Sequence, residues 1–449
     1  MVAELCAPVD VQIELTQACN WRCHHCYNFW RSSDSATNPA VYLSQDALRR
    51  IIHELAAHQV PSITITGGEP FIRRDEIFTL LRLAREAQIH VSINTNFSLV
   101  KPDDIEELTH EYQVSILASV LSANAVIHER LAGAPRGSHV QLIKRVAAAI
   151  SRGLSVGINM VLMRDNLSTL WETAFLAKEI GARSFCATKV LPNAHAPDCA
   201  LLLSVGEVHR ALAEIMEIER SLKIPVDVLG CFPKCLLVGT PAYRRFYNRI
   251  CVAGCTTVTI GADGEVRPCS HMEASYGNIL SEPLAAIWQR MRNWRGGEFI
   301  PERCRACPLV APCRGGCRVN TLMPGLGNMD FYAAPERLDG ILPERLFIPT
   351  EPDEEPSAHL VTVDPNTKFR DESFGALLYR NDPWTITLVN RSAATFLKDV
   401  TERNVVFSLD NFLENSGAVT SQERRMVERL YRKLVRKKIL ISPNSTERR

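Results

Sequence analysis

Hydrophobic and polar positions follow two alternating periods along the first 190 residues. Short apolar or β-branched runs, as at residues 62–66 and 155–162, predict strands. Segments with apolar residues three and four positions apart predict helices between them, and Ser44 has the residue type of an N-cap before the helix at 44–58. The predicted strands are residues 9–15, 62–66, 91–94, 114–120, 155–162 and 183–189, and the predicted helices are residues 44–58, 75–87, 103–111, 138–152 and 167–180.

This repetition of strand and helix predicts an α/β fold with a parallel sheet and right-handed crossovers. Six such units would curl into a partial (β/α)6 barrel. In folds of this kind ligands bind at the carboxyl ends of the strands. Side chains that directly follow the first strands are therefore candidate site residues.

The pattern changes after residue 220, which predicts further domains. Residues 221–330 are rich in cysteine, and residues 331–362 are rich in proline and acidic side chains, as is typical of a linker. Residues 363–449 contain no cysteine and predict a small α+β domain. The predicted organisation is a barrel at residues 9–220, a cysteine-rich domain, a linker and this C-terminal domain.

Composition restricts the setting in which the protein works. A net charge of +1 over 449 residues gives no global attraction to nucleic acid or to a membrane. No apolar run approaches the roughly 20 residues of a membrane helix, and the N-terminus lacks the basic and apolar segments of a signal peptide. The sequence predicts a cytoplasmic protein with neither a nucleic-acid nor a membrane partner.

The cysteines are grouped along the chain. Of 15 cysteines, three lie within residues 19–26 and nine within residues 231–317, while Cys6, Cys186 and Cys199 stand apart. A reducing compartment disfavours a disulfide framework. Grouped cysteines then indicate ligation of a metal or an iron–sulfur cluster.

The first group has the spacing C-x3-C-x2-C and consists of Cys19, Cys23 and Cys26. Three thiolates leave one iron of a cluster without a protein ligand, whereas a cluster that only carries electrons normally has four. An open iron can bind and activate a small molecule. The alternative is a structural zinc site with His24 or His25 as its fourth ligand.

A second motif, Gly67-Gly68-Glu69-Pro70, directly follows the second predicted strand. The two glycines let the backbone approach a ligand, and Glu69 offers an acceptor to an ammonium group. The same four residues could also form an ordinary turn at the end of a strand.

Together these two motifs resemble the radical S-adenosylmethionine (SAM) enzymes. The resemblance implies that Cys19, Cys23 and Cys26 hold a [4Fe–4S] cluster that binds SAM and cleaves it to a 5′-deoxyadenosyl radical, which abstracts hydrogen from a substrate carbon. It also implies that residues 67–70 bind the methionine part of SAM. Further SAM contacts would come from Asn94, Asn96 and Asn159, for which a structural role is an equal alternative; Cys186 is interpreted as a buried small hydrophobic residue.

The later cysteines resemble the SPASM extension of peptide-modifying radical SAM enzymes, which carries auxiliary [4Fe–4S] clusters. The matching pattern, C-x12-G-x4-C followed by C-x2-C-x5-C-x3-C, runs from Cys251 to Cys317. The resemblance implies two sets of ligands, namely Cys251, Cys269 and Cys317 with Cys255 as a possible fourth, and Cys304, Cys307 and Cys313.

This chain departs from the SPASM pattern at its end, where the usual final cysteine is missing. The second auxiliary cluster then either has an open iron or takes Asp330, Cys231 or Cys235 as its fourth ligand. An open iron could bind substrate, whereas a complete cluster would only conduct electrons. Cys231 and Cys235 themselves are interpreted as unligated thiols, with ligation as the alternative, and the sequence does not decide the fourth ligand.

The C-terminal domain begins with two strand-like runs at residues 374–380 and 384–390, followed by helices and a final strand at 439–441. The segment Phe-Arg-x4-Gly-Ala-Leu-Leu-Tyr resembles the winged-helix-like, PqqD-like modules that bind the leader of a ribosomally made peptide by strand addition. The basic helix at residues 423–438 is interpreted as a solvated face; attraction of an acidic leader is the alternative.

The sequence therefore predicts a radical SAM/SPASM enzyme that modifies a ribosomal precursor peptide by cross-linking, epimerisation or oxidative decarboxylation. Its partners would be that leader–core peptide and an electron donor such as flavodoxin or ferredoxin. The alternatives are an oxidase acting on a tetrapyrrole or a sulfatase-type protein, and an iron–sulfur electron-transfer or scaffold protein.

Overall fold

The computed structural model describes residues 4–30, 41–191, 199–322, 329–334 and 360–443, except 239, 241, 242, 244, 245 and 248. The described residues between 7 and 334 form one compact unit, and residues 4–6 with 360–443 form a second. Most of the predicted linker at 331–362 lies outside the described residues.

A nine-stranded sheet organises the described part of the first unit, in the order β7-β6-β5-β4-β3-β2-β1-β8-β9. Strands β1 to β8 are parallel to their neighbours, and only β9 is antiparallel. The strands are β1 Asp10–Glu14, β2 Ser62–Thr66, β3 His90–Thr95, β4 Ser115–Ser119, β5 Ser155–Leu162, β6 Ser184–Lys189, β7 Val226–Leu229, β8 Thr257–Ile260 and β9 Val266–Arg267.

Helices connect these strands, and each long one buries an apolar stripe. In α1 the buried residues are the predicted Leu48, Ile51, Ile52 and Leu55, and the Ser44 hydroxyl caps the helix by accepting a hydrogen bond from Ala47 N. The helices of this unit are α1 Gln45–Ala57, α2 Arg74–Glu86, α3 Pro102–Glu107, α4 Ala125–Ala132, α5 Ser138–Ser151, α6 Leu170–Glu179, α7 Val205–Leu222, α8 Lys234–Leu237, α9 Leu284–Arg290, α10 Arg292–Gly296, α11 Glu302–Arg305, α12 Val310–Cys313 and α13 Arg318–Leu322. Short 3-10 turns at Pro70–Arg73, Leu167–Thr169 and Cys199–Leu201 and a π turn at Leu108–Tyr112 complete the unit.

The two faces of the parallel sheet differ in chemistry. Alternate residues such as Ile13, Ile65 and Ile93 are fully buried. The other face is polar and only partly buried, because side chains of successive strands alternate between the two faces. One of its rows lies in register across β1 to β5 and consists of Gln12, Thr64, Ser92, Ser115 and Ser155. A sheet with a polar face can bind a polar ligand.

The second unit is a small α+β fold around its own core. A three-stranded antiparallel sheet has the order β11-β12-β13, and a second sheet pairs β10 with β14. Helices pack on these strands around buried Leu378, Leu397, Phe407 and Leu434. The elements are β10 Thr362–Val363, β11 Lys368–Glu372, β12 Gly375–Asn381, β13 Trp384–Asn390, α14 Arg391–Glu402, α15 Leu409–Asn415, α16 Ser421–Arg436 and β14 Leu440–Ile441.

The structure confirms the predicted α/β class and extends it. β7 lies inside the range predicted for the cysteine-rich domain, yet it continues the parallel sheet next to β6. β8 joins the other edge by pairing with β1. In α16 most of the basic residues are exposed, as predicted, whereas Arg432 is partly buried; Met426 is 61% exposed. None of the helices within the described ranges is both long enough and apolar enough to cross a membrane.

Candidate functional site

The first cysteine group lies in the loop that follows β1. Cys19, Cys23 and Cys26 are partly exposed and lie at the carboxyl edge of the parallel sheet, outside any disulfide. The loop is fixed by two backbone hydrogen bonds to the end of α4, from Arg22 N to Ala132 O (3.1 Å) and from His24 N to Leu131 O (3.0 Å). α4 was not predicted from the sequence, and it holds the loop in place.

Gly67 and Gly68 pack against the backbone at the start of this cysteine loop. Gly68 N donates to Thr16 O (2.7 Å), and Glu69 N donates to Ala18 O (2.8 Å). A Cβ atom at Gly68 would lie 2.0 Å from Ala18 O, and one at Gly67 would lie 2.6 Å from Thr16 O. The structure therefore requires these glycines for contact between two backbones, in addition to any contact with a ligand.

The carboxylate of Glu69 is almost fully buried, and burial raises its pKa to about 7. Oε1 accepts hydrogen bonds from Phe71 N (3.1 Å) and from the Thr95 hydroxyl (2.7 Å), and Oε2 accepts one from Asn96 N (2.8 Å). Glu69 thus joins the end of β2 to the end of β3. Pro70, which follows it, begins a 3-10 turn.

The three candidate asparagines lie at the same edge of the sheet. Asn94 is on β3, and Asn96 follows that strand, where its Nδ2 donates to Asn20 Oδ1 in the cysteine loop (2.9 Å). Asn159 on β5 accepts a hydrogen bond from the Thr188 hydroxyl (2.5 Å) and lies in register with Cys186. Asn96 thereby has a structural link to the residue that directly follows Cys19.

The later cysteines gather into two groups of four. The first group consists of Cys231, Cys251, Cys269 and Cys317, which pack together around Val319; Cys231 is within hydrogen-bonding contact of Cys251 and Cys317. Cys255 lies elsewhere, since its sulfur contacts Arg318 Nη2 and Trp294 O, each at 3.9 Å. The structure therefore places Cys231 where the sequence offered Cys255.

The second group consists of Cys235, Cys304, Cys307 and Cys313, which line one small cavity together with Leu309 and Ala333. The sequence had left Cys235 as one of several alternatives here. Throughout the described ranges, no three His, Cys, Asp or Glu side chains are placed to hold a single metal ion. Cluster thiolates bind separate iron atoms and surround a volume, and four thiols around one cavity are a donor set of that kind.

Residues that the sequence did not single out join the two cysteine-rich regions. Glu14 on β1 and Arg267 on β9 form a buried ion pair, in which Arg267 Nη2 donates to Glu14 Oε2. Tyr27, directly after Cys26, stacks on His271, two residues after Cys269, with ring centroids 4.7 Å apart. An acidic residue at the end of an apolar strand was the available sequence signal for Glu14.

Comparison with known protein families agrees with both cysteine motifs. Residues 13–177 match the model of the radical SAM superfamily, and residues 251–308 match the SPASM model of an iron–sulfur cluster-binding domain.

Several relatives share most of this length. The chain is 27% identical to the AdoMet-dependent heme synthase of Methanosarcina barkeri over 335 residues, which cover 71% of this chain and 93% of the relative. It is 27% identical to the PqqA peptide cyclase of Ruegeria pomeroyi over 332 residues (70% and 84%) and 28% identical to the mycofactocin maturase MftC of Mycolicibacterium smegmatis over 328 residues (71% and 80%).

A solved structure supports the fold. Streptococcus suis SuiB, bound to its precursor peptide SuiA, superposes with a TM-score of 0.62 at 19% identity, covering 74% of this chain and 76% of SuiB. With these matches added to the geometry, the protein is an enzyme that contains a radical SAM domain and a SPASM domain, and its cofactors are a [4Fe–4S] cluster with SAM and auxiliary iron–sulfur clusters.

Proposed function

We propose that this enzyme modifies a ribosomally synthesised precursor peptide. The observation that carries the proposal is the similarity, over about 70% of the chain, to a PqqA peptide cyclase and a mycofactocin maturase. The product, whether a cross-link, an epimer or a decarboxylated residue, would be set by how the peptide is positioned above the polar sheet face.

The residues that would hold the cofactors are those at the carboxyl edge of the sheet. Cys19, Cys23 and Cys26 would ligate the [4Fe–4S] cluster, since their thiols are partly exposed and carried by one anchored loop. Bound there, the cluster with SAM supplies a radical able to abstract hydrogen. The SAM contacts would be made by Gly67, Gly68, Glu69, Pro70, Asn94, Asn96 and Asn159.

Glu69 would contact SAM directly, and its hydrogen bonds to the chain would fix the orientation of that contact. Both of its oxygens already accept hydrogen bonds from the chain, so an ammonium group would add to a carboxylate that is held in one orientation. Because burial raises the Glu69 pKa to about 7, a nearby cation would favour its ionised form.

We further propose that the C-terminal unit is a PqqD-like module that binds the leader of the peptide. On one side β13 pairs with β12, and among the described residues no strand pairs with its other side. Leu388 on β13 is 42% exposed. An added peptide strand would pair with the backbone of this edge, and its alternate side chains would give specificity.

An electron donor and a location belong to the same proposal. An external donor such as flavodoxin or ferredoxin would supply the electron, and the protein would work in the cytoplasm.

A tetrapyrrole oxidase is the second candidate function. It is favoured by the similarity to the heme synthase of Methanosarcina barkeri, of which this chain covers 93%. Co-expression separates the two candidates: the enzyme is produced with the short peptide encoded beside its gene, and the mass of the peptide and the stereochemistry of its hydrolysed amino acids are measured. A changed mass or an inverted stereocentre supports the peptide substrate; an unchanged peptide together with oxidation of a tetrapyrrole supports the second candidate.

A further inference from the structure

We propose that Cys231 and Cys235 are the fourth ligands of the two auxiliary clusters, one for each, so that both clusters are fully ligated by thiolates. This inference deepens the proposed function, because it assigns the auxiliary clusters of that same enzyme to electron transfer instead of substrate binding. Its test measures iron content and EPR spectra and not peptide modification. The cluster assignment can therefore be refuted without refuting the proposed peptide substrate.

The packing of the first group supports Cys231 as a ligand. Cys231 is 8% exposed and lies within hydrogen-bonding contact of Cys251 and Cys317, with Cys269 packed against the same cluster. Cys255, the other candidate, belongs to a separate contact with Arg318 and Trp294. Four thiols therefore surround one site without Cys255.

Buried cations beside the first group indicate that it holds a negative charge. Lys189 is 5% exposed, its Nζ has no hydrogen-bond partner among the described residues, and it lies close enough to Cys231 and Cys317 to interact with their charge. Arg318 is 0% exposed, and within the described part of the chain its Nε and Nη1 have no partner either. Buried cations need a counter-charge. Asp330, 4.0 Å from Lys189 Nζ, supplies one negative charge. Four thiolates on a [4Fe–4S]2+ core would leave two more, which would serve Arg318 beside Cys251 as well.

Cys235 is the fourth thiol of the second group, as Cys231 is of the first group. Its sulfur accepts a hydrogen bond from Ala334 N (3.2 Å), and the Cys313 sulfur accepts one from Lys234 N (3.2 Å). Backbone donors of this kind are typical of cluster sulfurs, where they tune the reduction potential. Cys235 thus lies in the cavity of Cys304, Cys307 and Cys313 with its sulfur already oriented.

The contacts of Asp330 argue against it as the fourth ligand. Its Oδ2 accepts a hydrogen bond from Cys317 N (2.7 Å), and its Oδ1 accepts one from Tyr332 N (2.9 Å). The same carboxylate lies 4.0 Å from Lys189 Nζ and is 0% exposed. Both oxygens are therefore used in holding Cys317 and the chain beyond it.

The two proposed ligands are separated only by Phe232-Pro233-Lys234. One short segment would therefore bind both clusters and keep them at a fixed separation. Fully ligated clusters lack an open iron for a substrate, so their role would be to carry electrons between the barrel and an external partner.

The test begins with the full chain carrying Cys19→Ala, Cys23→Ala and Cys26→Ala, reconstituted without oxygen, so that only auxiliary clusters remain. Because a three-thiolate [4Fe–4S] cluster readily loses its unligated iron, mild oxidation converts it to a [3Fe–4S] cluster with a distinctive EPR signal. We expect no such signal in this background, which retains about eight irons per chain. A [3Fe–4S] signal here would overturn the proposal without any change at Cys231 or Cys235.

Single substitutions in that background then identify the ligands. Cys231→Ala and Cys235→Ala should each produce the [3Fe–4S] signal or remove about half of the remaining iron. The matched control Cys255→Ala removes a buried thiol of the same region and should change neither quantity, and Asp330→Asn should likewise keep both clusters. Loss of iron or a new signal in Cys255→Ala or Asp330→Asn, with Cys231→Ala and Cys235→Ala unchanged, would contradict the assignment.

Discussion

At the scale of single residues, the site depends on close contact between two backbone segments. Gly67 and Gly68 end β2 against residues 16–18, so that the chain entering the cysteine loop is fixed by hydrogen bonds from Gly68 N and Glu69 N. The sequence predicted the importance of these glycines. It could not show that their neighbour is the cysteine loop, because that contact joins positions about 50 residues apart.

Substitution of Gly68 tests this contact. In Gly68→Ala the new Cβ would lie 2.0 Å from Ala18 O, so the start of the cysteine loop must move. A displacement of about 1 Å at a reacting centre lowers a rate by about a hundredfold, and we expect a loss of that order in 5′-deoxyadenosine formation, together with less iron. Gly206→Ala is the control, since its Cβ meets nothing within 4 Å. A normal rate and iron content in Gly68→Ala would contradict the structural role.

Asp10 gives a second prediction at this scale, on pH. Burial raises the pKa of Asp10 from 3.8 to about 6, although the hydroxyls of Ser62 and Thr64 donate to it. The folded protein binds the Asp10 proton more tightly than the unfolded chain does. The stability that this proton contributes is therefore present below about pH 4 and is lost as pH rises from about 4 to about 6. Asp10→Asn should remove that slope and stabilise the protein by about 1–3 kcal/mol at pH 7. Urea unfolding of the parent protein and of Asp10→Asn at pH 5 and pH 7 gives the free energies of unfolding. An equal difference between the two proteins at both pH values would refute the prediction.

At the scale of elements, local pattern predicted the strands well and their distant partners poorly. Residues 62–66 and 155–162 form strands with the predicted bounds, because β-branched residues favour strands whatever their neighbours. The pairing of β8 with β1 joins residues about 250 positions apart, and no local period reports it. For the same reason the sequence left the partners of Cys231 and Cys235 open, although their C-x3-C spacing was a visible signal.

The ion pair between β1 and β9 tests how the barrel and the SPASM domain are joined. Arg267→Gln leaves the Glu14 carboxylate buried without its counter-ion, which costs about 3–5 kcal/mol. Glu14→Gln should cost less, because Arg267 also donates to Met272 O (2.9 Å). The double variant should be more stable than the sum of the two losses predicts.

An exposed ion pair is the control for the buried pair of Glu14 and Arg267. Arg305 Nε lies 3.1 Å from Glu302 Oε2 at the surface, and Arg305→Gln should lower the free energy of unfolding by at most about 1 kcal/mol. The measurement is the urea midpoint of each variant. Strictly additive losses at Glu14 and Arg267 would show that the pair does not join the two domains.

At the scale of the whole molecule, the described chain has two units with different tasks. The first carries the three cysteine groups and the polar sheet face, and the second carries a sheet with an unpaired edge at β13 within the described residues. Relatives match about 70% of the chain. The C-terminal unit is described by this structure, and the predicted boundaries at 220, 330 and 362 stay predictions.

The central claim is that the radical chemistry acts on a peptide. The most direct measurement is an anaerobic reaction of the reduced holoenzyme with SAM and the purified precursor peptide, in which 5′-deoxyadenosine and modified peptide are quantified together by mass spectrometry and by chiral analysis of the peptide's amino acids, since an epimer keeps its mass. The Cys19→Ala, Cys23→Ala, Cys26→Ala variant is the control and should form neither product. We predict that both products appear in a fixed ratio in the intact enzyme. Formation of 5′-deoxyadenosine with an unmodified peptide, at a rate the peptide does not change, would contradict the account.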